Sequence, residues 1–298
     1  MSEEGRCAAC ESPGLVPHLS VSGEIGSEGL IPTTDSFGTA LSDIIRCSEC
    51  GHRQLRDFPS AESLSEAYGE AESDDYVIEE RGQRATAAAI LGRIEVHAER
   101  GALLDLGCWV GFLLAEARDR GWSGFGVEPS AFASGYAREQ LGLDVVTADL
   151  DTVELSSGRF QAAFMGDVIE HLIDPAAALD RVAGALAPGG ILALTLPDAG
   201  SRVARAMGQR WWAVIPTHVQ YFTRRSLGTL LARRGFEPLL FSNAPKAFTV
   251  GYYLGRAGGY SPALAGALVG SAKALGIADR IWAPDFGDRM LVIARAPR

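Results

Sequence analysis

Lysine is almost absent from this chain: it stands only at positions 246 and 273, so arginine carries nearly all of the positive charge. No apolar run reaches the ~18 residues of a membrane-spanning helix, and none is expected. The opening MSEEGRCAAC is acidic and polar and lacks the apolar stretch of a secretory signal. Cysteine is scarce, at five in 298 residues, too few for a disulfide-dense secreted scaffold. The chain is also long enough to bury a core without such staples. Hydrophobic residues at 47% and charged residues at 21% exclude disorder and fit a globular protein. The expectation is a soluble, cytoplasmic protein of about two domains, or one large α/β domain with an appendage.

The net charge of −10 is unevenly placed. Residues 1–80 hold 17 acidic and 4 basic side chains, whereas residues 81–298 hold 20 and 23. An acidic chain cannot neutralise phosphates broadly, so nucleic acid is not an expected partner. One stretch runs the other way. Residues 200–235 contain Arg202, Arg205, Arg210, Arg224, Arg225, Arg233 and Arg234 and no acid. This is either a solvated helix face or an anion site, for which guanidinium groups are suited.

Four cysteines form two C-x-x-C pairs, Cys7/Cys10 and Cys47/Cys50. Two such knuckles can complete a closed tetrahedral thiolate shell, which implies a structural zinc ion and leaves no open position for chemistry. Disulfides are disfavoured by the expected compartment, and a redox pair would sit near a βαβ pattern, which neither pair does. His52 follows the second knuckle as a bystander or a replacement ligand.

Residues 11–46 read as strands and loops hung on the knuckles. Leu64, Ala67 and Tyr68 have helical spacing, and a long helix is expected over about 79–99. Strands and helices then alternate. Strands are expected at 102–107, 124–129, 144–150, 160–167, 191–197, 236–242 and 289–296. Helices are expected at 111–121, 130–141, 175–187 and 224–234. Asp174–Pro175 reads as an N-cap with a first-turn proline, and PGG (188–190) reads as the end of the helix before it. This alternation implies an α/β fold with a doubly wound, seven-stranded, mostly parallel sheet.

Ligands of such sheets bind outside the carboxyl ends of the strands. The first turn there is D-L-G-C-W-V-G, Asp105 to Gly111, and Glu128 ends the second strand where a carboxylate can accept ribose hydroxyls. Asp149 follows the third strand. The dinucleotide pattern G-x-G-x-x-G is absent. A carboxylate at Asp105 would repel a diphosphate and suit an ammonium group.

The motifs LLDLGCWVGFLL, GVEPS, TADL, FMGDVIEHLIDP, LAPGGILALTLP and THVQYFTRRSLGTLLARRGF, in that order, resemble the Rossmann-like S-adenosylmethionine-dependent methyltransferases from about Leu103 onward. The resemblance implies a last strand that is antiparallel. It places Asp105, Gly107 and Gly111 at the methionine part of the cofactor, Glu128 at the ribose, Asp149 at the adenine and Gly166–Asp167 at the sulfonium end. Cys108, Trp109, Phe112, Pro129 and Leu150 flank these as further cofactor-binding candidates. Trp109 stands where the family usually has a third glycine, so the indole must turn away or narrow the site. The segment CSECGHRQLRDFPSAESLSEAYG resembles the region that joins zinc module to methyltransferase domain in nucleotide-sugar C-methyltransferases. The implied organisation is a zinc-binding module at 1–59, a helical linker or lid at 60–100, and a methyltransferase domain at 101–298 with a helical cap insertion at 244–282.

Methyl transfer from a sulfonium is an in-line displacement in which the protein supplies alignment and, where needed, a base. Histidine suits that role near neutral pH. His218 and His171 are the candidates; bracing the loop or the sheet edge is the alternative for each. The resembled sugar enzymes carry a base histidine in the segment matching His218, but their nearby tyrosine corresponds to Ile215. Tyr76, Trp212, Tyr221 and Arg210 are candidate substrate contacts. The apolar stretch 244–282 reads as core or cap helices, whereas an exposed apolar face there would favour a lipid-linked acceptor or a membrane surface. The expected function is methyl transfer to a small or carrier-linked acceptor, sugar-like and anionic. A non-catalytic binding protein with Trp109 filling the site, and a nicotinamide oxidoreductase, are the alternatives.

Overall fold

The structure, a computed structural model, describes residues 5–21, 37–60, 63–64, 77–259 and 261–298. The expectations for Ala67, Tyr68 and Tyr76 lie outside the described residues. After strands β1 (Leu15–Leu19), β2 (Ile44–Cys47) and β3 (Arg53–Leu55), helix α1 (Glu80–Ile94) leads into the alternation. It comprises β4 (Ala102–Leu106), α2 (Phe112–Asp119), β5 (Ser123–Glu128), α3 (Ala131–Glu139), β6 (Val145–Thr147), β7 (Phe160–Gly166), α4 (Pro175–Ala185) and β8 (Leu186–Pro197). Helix α5 (Arg202–Met207), strand β9 (Gln220–Tyr221), helix α6 (Arg224–Arg233) and strand β10 (Glu237–Asn243) follow. A cap of β11 (Phe248–Thr249), α7 (Val250–Gly255), α8 (Pro262–Ala274) and β12 (Ile281–Trp282) precedes the last strand, β13 (Arg289–Arg295).

Seven strands form one sheet in the order β10-β13-β8-β7-β4-β5-β6. Strand β13 is antiparallel to both neighbours, and β8, β7, β4, β5 and β6 run parallel. Side chains alternate between the two faces of each strand. Leu104, Leu106, Met165 and Leu194 pack with Leu179 and Val182 of α4 and Leu227, Leu230 and Leu231 of α6. Leu103, Phe164, Ala193 and Ile293 pack on the other face with Ile90, Leu91 and Ile94 of α1 and Leu113 of α2. Helices therefore cover both faces, which is why these strands are apolar almost throughout. Helix α1 supplies one of those layers, and its residues Gln83, Thr86 and Ile90 also line the cavity described below.

Local signals explain most boundaries. The Asp174 side chain accepts from the Ala177 backbone N–H, and Thr223 and Ser226 form a reciprocal capping box at α6. Two boundaries differ from expectation. Helix α1 ends at Ile94, where Glu95 instead gathers Arg100, Arg120 and Trp122. Strand β8 begins at Leu186 and runs through the PGG sequence; its register against β7 shifts between Phe160 and Ala162, so the glycines lie in a bulged strand rather than a turn. No described helix is long and apolar enough to cross a membrane.

The N-terminal strands make a second sheet, order β1-β2-β3-β9, whose last strand comes from the methyltransferase-like portion of the chain. The cap is seated on α1. Glu79 accepts from the Thr249 backbone N–H at 2.7 Å and from its hydroxyl at 2.6 Å. Within the cap, α8 buries only Ala265 and Ala272, so it is a surface helix and not core. Gly82 of α1 is the closest approach: a Cβ there would lie 2.5 Å from the Ala247 carbonyl oxygen and 2.8 Å from Phe248 Cα. A glycine-to-alanine change in an open helix gains about 1 kcal/mol. Gly82→Ala should instead cost about 1–3 kcal/mol, because backbone must give way, and lower the thermal midpoint. A raised midpoint would contradict this seating of the cap.

Candidate active site

The carboxyl edge of the sheet gathers two buried acids. Asp105, on β4, is 1% exposed, and neither carboxylate oxygen has a hydrogen-bond partner among the described residues. Burial, with the nearby Glu128 charge, pushes its pKa up to about 8. Glu128 ends β5 and is also buried. Its Oε2 accepts the Trp109 backbone N–H at 2.8 Å and its Oε1 accepts that of Ser130 at 2.9 Å. Burial raises Glu128 to about 7 against the pull of those two bonds. In both cases the folded pKa lies above the unfolded one. The stability each group contributes is therefore complete below about pH 4 and is lost as the pH climbs towards the folded values. An ion of positive charge beside Asp105 would reverse that loss.

The loop after β4 is shaped by contacts as well as by access. Gly107 has φ +69°, and a Cβ there would strike Val168 Cγ2 at 2.5 Å; Gly111 has φ +85° and would strike Leu143 Cδ1 at 2.5 Å. These glycines admit neighbouring side chains. Trp109 itself has φ +48°, and Asp167 at the end of β7 has φ +57°. Such conformations are costly for non-glycine residues and gather at functional sites. Trp109 packs with Val110, Phe112, Ala133, Phe132 and Tyr136 towards α3.

A cavity of about 1040 Å³ opens over this edge. That is enough for a nucleoside cofactor together with an acceptor. Asp105, Gly107, Cys108, Trp109 and Phe112 line it from the first turn, and Glu128, Pro129, Asp149 and Leu150 from the next two strands. Gly166, Asp167, His171, Trp212 and His218 line it from the other side, whereas Gly111 does not. With Trp109 among its lining residues, the cavity still measures about 1040 Å³. Arg210 sits exposed in a 3-10 turn outside the lining. Tyr221 is buried, in β9, within the core that joins the N-terminal sheet to the rest.

On the other side of the cavity, Glu170, His171 and His218 each present a ligand-type atom within 4.8 Å of the others. Nδ1 of His218 lies 2.8 Å from the Ala213 carbonyl, and Nδ1 of His171 lies 2.9 Å from the Thr217 carbonyl. Because a carbonyl only accepts, both Nδ1 atoms carry the proton, and Nε2 is the basic nitrogen of each neutral ring. Burial, with His171 nearby, drives the His218 pKa well below its usual value. Burial lowers that of His171 also. Glu170, buried near the Asp167 charge, is pushed up to about 8. Burial alone would raise Asp167, but Arg289 and Lys246 outweigh it and hold the carboxyl far below the usual range. Lys246 Nζ is 2.6 Å from Asp167 Oδ2, and Arg289 pairs with Oδ1.

Lys246, Arg289 and Glu170 escaped the sequence reading. Arg289 had a signal: it opens an antiparallel last strand and pairs with Pro197 at the end of β8, so it must lie at the ligand edge. The arginine-rich stretch 200–235 is not the cation source. Arg224 pairs with Asp198, Arg234 with Asp180 and Arg233 with Glu11.

The four cysteines meet as the spacing predicts. Cys7 and Cys50 sulfurs are 3.6 Å apart, as are those of Cys10 and Cys47, and none is in a disulfide. A zinc–thiolate tetrahedron with bonds of about 2.3 Å has edges of about 3.8 Å, so the set fits zinc. Purified protein should carry one zinc per chain and lose it in Cys7→Ser/Cys47→Ser. Metal-free protein with oxidised cysteine pairs would contradict the assignment.

Residues 78–240, more than half of the chain, match a family model described as a methyltransferase domain. A malonyl-[acyl-carrier protein] O-methyltransferase of Enterobacter lignolyticus is 28% identical over 175 residues, which is 57% of this chain and 68% of that protein. A trans-aconitate 2-methyltransferase of Methylobacterium radiotolerans is 34% identical over 117 residues, 38% of this chain and 44% of that protein, so the match spans less than half of its length. Among solved structures, phosphoethanolamine N-methyltransferase 2 of Haemonchus contortus with S-adenosyl-L-methionine aligns at a TM-score of 0.54 and 15% identity, over 83% of this chain and 62% of that one. That last likeness is one of fold. With a seven-stranded sheet of this order and buried carboxylates at its ligand edge, the chain belongs to the methyltransferase-domain family, as a Rossmann-like, S-adenosylmethionine-dependent enzyme.

Proposed function

We propose that the enzyme methylates a small or carrier-linked acceptor bearing an anionic group, with His218 as the base. One observation carries this reading. A single cavity holds the Asp105–Glu128 edge on one side and His171, His218, Lys246 and Arg289 on the other. S-adenosylmethionine, when bound, supplies the electrophilic methyl carbon. Asp105 would hold its ammonium group, Glu128 its ribose and Asp149 its adenine. The orphaned, buried Asp105 carboxylate supports that cation and would repel the diphosphate of a nicotinamide dinucleotide.

Lys246 and Arg289 share Asp167, and an acceptor carboxylate or phosphate can draw on the same two cations. The two similar relatives are named for malonyl and aconitate substrates, which are anionic. A sugar-like acceptor fits if it bears such a group. His218 is neutral at physiological pH, with its Nε2 lone pair available to take a proton from a hydroxyl or an acidic carbon. Its Nδ1–H stays on the Ala213 carbonyl, which fixes the ring.

Incubation with anionic metabolites and cofactor, followed by mass spectrometry, should find a product heavier by one CH₂ unit. His218→Ala should then slow turnover by about 10²–10⁴-fold while leaving cofactor affinity unchanged. Full turnover in that variant would remove His218 as the base.

A further inference from the structure

The cysteine module is wired to the histidine pocket. Strand β3 of the module pairs with β9, Arg53 opposite Tyr221 and Gln54 opposite Gln220. Two residues before β9 stands His218. The intervening Val219 is held from both sides: its carbonyl accepts the Leu55 N–H at 3.1 Å, and its own N–H donates to the Glu170 carbonyl at 3.0 Å. Gln220 doubles the link. Its Oε1 accepts from His52 Nε2 at 2.8 Å, and its amide nitrogen donates to the Leu172 and Ile173 carbonyls at 3.2 and 3.3 Å. His52 and Gln220 are both fully buried, so these bonds meet no competition from solvent.

The same strand reads the state of both knuckles. Gln54 accepts from the Ala8 N–H at 2.9 Å and donates to the Arg6 carbonyl at 3.1 Å, gripping the residues on either side of Cys7. The His52 carbonyl accepts the Cys47 N–H at 2.8 Å. An unbroken chain of hydrogen bonds thus runs from the cysteines through β3 and Gln220 to the Glu170–His171 turn and the His218 segment. By contrast, Asp105 and Glu128 stand on β4 and β5, inside the large sheet.

We infer that the metal module is a positioning device for the acceptor side of the active site, with Gln220 as the positioning residue and the cofactor edge independent of it. This rests on the reading of His218 as the pocket's base, but its test does not. Gln220→Met keeps the volume and removes the amide. Gln220→Glu keeps the acceptor for His52 and loses the donor to Leu172 and Ile173. The readouts on full-length protein are S-adenosylhomocysteine affinity, amide hydrogen exchange, and the ring nitrogen NMR signals of His171 and His218.

Gln220→Met should speed exchange at residues 169–173 and 217–222 by about tenfold or more. It should also shift the two histidines from one tautomer towards a mixture, with cofactor affinity unchanged. Gln220→Glu should disturb 169–173 in the same way. Stripping zinc from the wild-type protein with a chelator should reproduce the Gln220→Met changes, which keeps the test open if a variant folds poorly. Once an acceptor is in hand, the loss should fall on kcat rather than on the cofactor's KM. Unchanged exchange and ring signals after zinc removal would overturn the inference. So would a parallel loss of cofactor affinity, because the module would then support the whole sheet and not the pocket. Full turnover by His218→Ala would end the base assignment and leave the exchange result standing.

Discussion

The site depends on a carboxylate that the fold buries without a partner. Asp105 is carried into the interior by β4, one of the strands at the centre of the sheet, and nothing among the described residues donates to it. Burying an unpaired charge is expensive, so the group shifts towards its neutral form or recruits a cation. Glu128 beside it is constrained by two backbone N–H groups and adds to the same demand. A ligand that brings an ammonium group and ribose hydroxyls answers both acids at once. The proposed placement of the cofactor rests on that electrostatic imbalance.

The far side of the cavity is built on opposite terms. Lys246 and Arg289 share the single carboxylate of Asp167, and two neutral imidazoles are pinned by backbone carbonyls. On the proposed reading, one side attracts a cation, and the other receives an anion and takes a proton. The acids and the histidines also differ in what holds them: Asp105 and Glu128 stand on the large sheet, whereas the His218 segment is bonded through Val219 and β9 to strand β3 of the cysteine module. The cap, fastened to α1 by Glu79 and by the close approach at Gly82, brings Lys246 to the cavity.

Much of this was legible in the sequence because parallel sheets place their ligand residues at strand ends, and strand ends show in apolar periodicity. Asp105, Glu128 and the Cys7/Cys10/Cys47/Cys50 set follow from that and from spacing. What the sequence could not show at the turn glycines is that Val168 and Leu143 pack into the space a side chain there would need. Contacts made far along the chain were not legible. No local pattern ties His52 to Gln220, 168 positions away, or marks Lys246 in a loop as the partner of Asp167. Arginine density left two readings open for a similar reason, because the acids that pair with Arg224 and Arg234 lie on other elements.

The most direct test of the central claim is the proton balance of cofactor binding. Titration calorimetry with S-adenosylmethionine, near pH 6 and again near pH 8, in buffers of different ionisation enthalpy, measures it. If a cation forces buried acids to ionise, binding near pH 6 releases protons, the release shrinks by pH 8, and affinity tightens across that interval. Asp105→Asn removes most of the effect. Binding with no proton exchange and with the same affinity at both pH values would contradict the account.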